Sequence, residues 1–161
     1  MILVTVGTER YPFDRLLRYV EHAVEKCAPD EEIVYQIGSS HYQPVRGRVE
    51  RFFPFSRMKQ LTQEASVVIA HAGVGSVNLA LTFGKKPIVC PRKKSLNEAI
   101  NDQQARYARF MADNGFVLLA QEAEEMEARL RESRIVDASS LPTPASASER
   151  ERLVSFLNSL L

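Results

Sequence analysis

Short runs of almost uninterrupted apolar residues alternate along this chain with longer stretches of helical periodicity, and no other feature limits the possible folds as tightly. Residues 1–6 (MILVTV) are apolar and β-branched, Gly7-Thr8 breaks the run, and residues 13–26 then carry Phe13, Leu16, Leu17, Val20, Ala23 and Val24 at helical spacing. The same unit recurs. A strand is expected at 33–37, a loop rich in Gly, Ser and Pro follows, then a short strand at 49–53 and an amphipathic helix at 56–65. Further on, a strand at 67–70 ends in His71-Ala72-Gly73-Val74-Gly75, a helix at 76–83 stops at Gly84, and a strand at 87–90 ends at Pro91. After a polar loop at 92–101 come a helix at 102–113, a strand at 116–119 and a helix at 122–131. Strands this apolar must be covered on both sides. The expected fold class is therefore α/β: an open parallel Rossmann-like sheet with helices on both faces.

The 161 residues suffice for one such domain and are too few for two ordinary ones. A ligand-binding domain is expected over 1–138, a Pro/Ser/Ala-rich linker at 139–148 (SSLPTPASAS), and a C-terminal helix at 149–161 with Leu153, Phe156, Leu157, Leu160 and Leu161 on one side. That helix either packs back on its own domain or forms part of a partner interface, and the sequence leaves both open. No stretch approaches the ~20 apolar residues of a membrane span. The opening residues lack the basic, apolar and small-residue regions of a signal peptide, so a cytoplasmic protein is expected. Cys27 and Cys90 stand in no metal or redox spacing and are expected to be buried free thiols. With 21 basic and 20 acidic residues and no basic stretch interleaved with aromatics, nucleic acid is not an expected partner.

In an open parallel sheet, ligands bind at the carboxyl ends of the strands. The loop from His71 to Gly75 lies there, leading from a buried strand into a helix whose expected N-cap is Ser76. Its glycines permit close backbone approach, and a helix N-terminus offers free N–H groups and partial positive charge, which suits a diphosphate. Alone, the loop reads equally well as a tight turn with a capping serine. The first strand is followed by Gly7-Thr8-Glu9, not by GxGxxG, and Gly84-Lys85-Lys86-Pro87 lacks the upstream glycine and the Ser/Thr of a P-loop. Neither a dinucleotide enzyme nor a P-loop nucleotidase is supported. No Asp-x-Asp pair or His/Cys/Asp cluster at ligand spacing occurs, so no metal and no cofactor are expected.

Three segments in order, VTVGTERYPFDRLL, IAHAGVGSVNLAL and PRKKSLNEAINDQQ, resemble the small donor-binding subunit of bipartite glycosyltransferases, the glycosyltransferase family 28 C-terminal domain, over roughly residues 1–120. That family includes a eukaryotic cytosolic subunit acting on dolichol-linked sugar and bacterial exopolysaccharide subunits. The resemblance implies the C-terminal half of a GT-B fold, a UDP-sugar donor, and inverting transfer of a hexose or hexuronate to a lipid-linked saccharide. It also implies a membrane-anchored acceptor-binding subunit that supplies the general base and holds the chain at the inner face of the membrane. Carried over by position, it sets Gly7 and Thr8 near the donor diphosphate, Gly73, Val74, Gly75 and Ser76 against the phosphates, and His71 at the head of that loop. There His71 either orients the loop or touches the donor. Asn97, Glu98, Asp102, Gln103 and Gln104 match a polar run that hydrogen-bonds sugar hydroxyls, although Asp102 is equally a plain helix cap. Arg92 is a candidate contact for a sugar carboxylate or for lipid, with a solvated basic loop as the plainer reading. Uracil is expected near residues 36–39 and 53–55. In one departure Leu79 stands where relatives usually carry a ribose-binding glutamate, which leaves Asn78 as an expected substitute. The same departure keeps open a non-catalytic nucleotide-sugar-binding or regulatory module.

Overall fold

In the computed structural model, which describes residues 1–135 and Ser155 alone beyond them, six short strands form one sheet in which every pairing is parallel. The strands are β1 (Ile2–Thr5), β2 (Ile33–Gln36), β3 (Arg48–Glu50), β4 (Val67–His71), β5 (Ile88–Cys90) and β6 (Leu118–Leu119), in the order β3-β2-β1-β4-β5-β6. The expected linker at 139–148 and terminal helix at 149–161 lie, but for Ser155, outside the described residues.

Alternation of side chains along the strands explains why both faces need helices. Ile2, Val4 and Val6 join Ile33, Tyr35 and Ile69 in a cluster under α1 (Asp14–Cys27) and α5 (Ala123–Ser133), to which the helices contribute Phe13, Leu16, Leu17 and Val20 from the first and Met126 and Leu130 from the second. Leu3, Val34 and Val68 point the other way, against Leu61 of α2 (Phe55–Glu64) and Ala80 of α3 (Val74–Thr82). Beside them Val89 packs under α4 (Gln103–Asp113) with Tyr107, Ala108 and Met111. Truncating any one of the leucine, isoleucine or methionine side chains among these to alanine would cost about 2 to 5 kcal/mol.

The strands at the sheet edges fall short of their sequence-based lengths. β3 stops at Glu50, before Phe52 and Phe53, because Pro54 cannot extend a ladder and instead leads into α2 in an extended conformation (ψ 148°). β6 keeps two residues of an expected four. The polar loop after β5 contains a 3-10 turn (Lys94–Leu96) that ends at Asn97 with φ +56°. Cys90 is buried, as expected, whereas Cys27 is half-exposed at the end of α1.

Candidate functional site

Strand order reverses between β1 and β4: the chain proceeds from β1 outward through β2 and β3, then returns to begin again at β4 on the other side. The loops leaving these two neighbours diverge, which opens a crevice at their carboxyl ends. Gly7 and His71, far apart in sequence, meet there. Gly7 turns the chain sharply out of β1 with φ +79°, and its N–H donates to Thr5 Oγ1 at 3.1 Å. The Thr5 hydroxyl in turn donates to Gln36 Oε1 at the end of β2.

Across the crevice α3 begins earlier than its sequence suggests. Gly73 is the N-cap, in an extended conformation, and no side chain caps the helix. The first intrahelical bond is from the Val77 N–H to the Gly73 carbonyl at 3.0 Å, so the amides of Val74, Gly75 and Ser76 stand outside the helical ladder. Ser76, expected as the cap, is the third helical residue. The reason is physical: a glycine cap has no side chain with which to cover these amides, so they stay available, whereas a serine cap would have taken one of them.

His71, the last residue of β4, lies beneath both loops. Only 7% of it is exposed, and Nδ1 is buried without a hydrogen-bond partner. The ring fits only because two neighbours lack side chains. A Cβ on Gly7 would lie 2.4 Å from Nε2, and one on Gly73 would lie 2.2 Å from the same atom. Burial, with the Arg92 charge adding to it, lowers the His71 pKa to about 4, so the ring is neutral at ordinary pH. Gly75 is different: a Cβ there would meet nothing within 4 Å. Its missing side chain leaves room for a ligand, not for a neighbouring residue.

These groups open onto one pocket of about 430 Å³, lined by Gly7, Thr8, His71, Gly73, Gly75 and Ser76 on one side and by Gln36, Phe53, Phe55, Met58 and Leu79 on the other. That volume is within the usual range for a small-molecule site. Neither a carboxylate nor a lysine or arginine lines it, so whatever favours an anion there must come from the amides and dipole of α3. Val74, on the exposed side of the first turn, is not part of the lining. The expectation had covered Gln36, Phe53 and Phe55 but missed Met58, which stands one helical turn beyond Phe55 and shares its face. Asn78, expected as a substitute ribose contact, is exposed and outside the pocket, while Leu79 faces into it.

The polar run after β5 does something else. Arg92, expected at a sugar carboxylate, at lipid or in solvent, is wholly buried. Its guanidinium donates to the carbonyls of Val6 (2.8 Å), Tyr11 (2.8 Å) and Glu98 (3.1 Å), and stacks 4.7 Å from the Phe13 ring centroid. It ties the β1 loop to the β5 loop and presents no donor to a sugar in this arrangement. Glu98 is also spent internally: 6% exposed, it takes a bidentate pair of bonds from Arg15 (2.8 and 2.9 Å) and one from the Lys93 N–H (2.9 Å). Arg15 reaches that point from the first turn of α1, and nothing in its own spacing marked it as a clamp. Asn97, Asp102, Gln103 and Gln104 lie outside the pocket lining. The Asp102 carboxylate accepts from the Lys94 N–H without capping α4, and Gln104 Oε1 accepts from the Arg92 N–H at 3.4 Å. Among the described residues no group of three or more His, Cys, Asp or Glu side chains could hold a metal ion, and no helix is long and apolar enough to cross a membrane.

Comparison with known proteins follows the same lines. Residues 1–155 match the glycosyltransferase family 28 C-terminal domain. A search of curated proteins gave no match. Among solved structures, the glycotransferase of kitacinnamycin is 24% identical (TM-score 0.56; 98% of this chain, 39% of that one). Glycosyltransferase VinC, solved in complex with dTDP, is 15% identical (TM-score 0.58; 99% and 41%). MurG of Acinetobacter baumannii is 17% identical (TM-score 0.56; 98% and 49%). The chain thus spans about two fifths to one half of the length of these glycosyltransferases.

Proposed function

Because the chain belongs to the glycosyltransferase family 28 C-terminal domains, we propose that its pocket is the donor site of a two-component inverting glycosyltransferase, taking a UDP-linked hexose or hexuronate. The observation that carries this reading is the open first turn of α3, with the amides of Val74, Gly75 and Ser76 outside the helical ladder, beside a glycine whose Cβ position is empty. A diphosphate fits such a place: its oxygens accept from peptide N–H groups, and the helix N-terminus supplies the charge that no side chain in the lining provides. Charge builds on the leaving UDP during transfer, so amides fixed in advance stabilise that stage of the reaction. Neutral His71 lies beneath the same loop, where the close fit of its ring against Gly7 and Gly73 fixes the turn that presents these amides.

The other half of the chemistry lies elsewhere. Inverting transfer needs a base to take the proton of the acceptor hydroxyl. No carboxylate lines the pocket, and a histidine held at a pKa of about 4 is a poor base near neutrality. On this reading the base and the acceptor site belong to a partner, and what the resemblance implies for that partner is a membrane-anchored subunit presenting a lipid-linked saccharide, as in exopolysaccharide assembly, which would keep this chain at the inner membrane face. Calorimetric titration with UDP, UDP-glucuronate, UDP-galactose and UDP-N-acetylglucosamine, without added metal, tests the donor half. Binding of UDP and a preference for one sugar are expected. Absence of binding both to the chain and to the chain with its partner would leave a degenerate module and end the proposal.

A further inference from the structure

We propose that this donor site does not read the 2′-hydroxyl of the nucleoside, so that a 2′-deoxyribonucleoside diphosphate binds as well as its ribose counterpart. The inference rests on the donor-site reading above. With the diphosphate held at the first turn of α3, the remaining lining available to the nucleoside is Gln36, Phe53, Phe55, Met58 and Leu79. The pentose is bonded directly to the first phosphate, so it must lie on the surface next to Ser76. On α3 that surface is Leu79, one turn on and on the same face, and Met58 of α2 lines the same pocket. Neither side chain can donate or accept a useful hydrogen bond. Phe53 and Phe55 offer rings on which a pyrimidine can lie. Gln36 is 3% exposed and its Oε1 is engaged by the Thr5 hydroxyl, so only its amide N–H groups remain, and these stand at the end of β2, on the side assigned above to the base and not on α3.

Discrimination between a hydroxyl and a hydrogen is strong only where a site is built to hydrogen-bond that hydroxyl, because removal then strands a buried partner. Here neither Leu79 nor Met58, the side chains assigned to the pentose, would be stranded. A hydroxyl laid against Leu79 instead loses water without gaining a protein partner, which offsets whatever it gains from contact. The structure thus assigns Leu79 as the residue that sets the tolerance: an amide or carboxylate at this position would supply the missing acceptor at one turn from the phosphate anchor.

The test is competition calorimetry on the full chain with UDP, 2′-deoxy-UDP and dTDP, repeated on Leu79→Gln and Leu79→Glu, each first checked by thermal unfolding. We expect UDP and 2′-deoxy-UDP to bind the wild type within about threefold of each other, with dTDP alongside, and the variants to favour UDP over 2′-deoxy-UDP by at least about tenfold. Tenfold or greater preference for UDP in the wild type would overturn the inference while leaving the donor site intact. Binding of none of the three, either to the wild-type chain or to the chain with its partner, would overturn the donor site and the inference with it. The ratio between two nucleotides of equal charge is the readout, so general loss of affinity in a variant does not imitate the effect.

Discussion

Two loops leave the carboxyl edge of the sheet one strand apart, and both carry the residue types that usually mark a binding site. The loop after β4 is nearly devoid of side-chain chemistry: two glycines, a valine, a serine and a buried histidine. The loop after β5 holds Arg92, Lys93, Asn97, Glu98, Asp102 and two glutamines. Yet the poorer loop leaves its amides open to the pocket, while the richer one has turned its strongest groups inward, Arg92 to four carbonyls and Glu98 to Arg15. A polar side chain becomes a binding group only if the fold leaves its hydrogen bonds unspent. Backbone amides at a helix start are unspent by construction.

The sharpest way to break this contrast is Arg92→Met, which keeps an apolar stem against Phe13 but removes every donor. If the loop after β5 is a structural tie, stability should fall by on the order of 3 to 5 kcal/mol, because several buried carbonyls lose a charged partner; urea denaturation would read it. A fully stable Arg92→Met protein that loses sugar preference would instead return Arg92 to the ligand.

His71 gives the next largest effect, through pH. Its folded pKa is depressed from the usual 6.5 to about 4, so the unfolded chain takes up a proton that the folded one refuses. The stability it contributes is complete above pH 6.5 and is lost as the pH falls toward 4, by roughly 2 to 3 kcal/mol. Other groups titrate there too, so the quantity to measure is the difference in unfolding free energy between wild type and His71→Asn from pH 7.5 to 4.5. Parallel curves would refute a buried neutral ring.

The two glycines of the β4 loop should separate cleanly. In Gly73→Ala the new methyl meets His71 Nε2 at 2.2 Å, and the ring or the loop must shift at a cost of about 1 to 3 kcal/mol. In Gly75→Ala the methyl enters open space within the first turn of a helix, so stability should rise by about 0.5 to 1 kcal/mol while nucleotide affinity drops at least tenfold. Thermal unfolding beside calorimetry distinguishes them. Equal effects on stability would mean that the pocket is not what Gly75 is keeping clear.

Much of this architecture could be read from the residues. The apolar runs at 1–6, 33–37, 67–70 and 87–90 are strands because each points side chains into cores on both faces, and α1 is legible from its stripe of Phe13, Leu16, Leu17, Val20, Ala23 and Val24. The edges were less legible: β3 and β6 have one neighbour each, and a local feature such as Pro54 decides where pairing ends. At the site, the glycines and His71 stood out because a loop between strand and helix has few reasons to be glycine-rich. Ser76 was misjudged as a cap because capping propensity ignores where the chain turns, and here Gly73 turns it first. Arg92 and Glu98 were misread for a deeper reason. Whether a charged residue faces solvent or carbonyls depends on segments 80 residues away, such as the β1 loop that offers Val6 and Tyr11, and no local pattern encodes that.

The pocket's lining, free of lysine, arginine and carboxylate, has a consequence for control. An anchor made of peptide groups has no lysine to acetylate and no acid or base to titrate, apart from a histidine already held neutral. Of the side chains that line it, only the hydroxyls of Thr8 and Ser76 could take a modifying group. Occupancy of such a site answers to the concentration of its ligand and to whatever covers the mouth, more than to the pH.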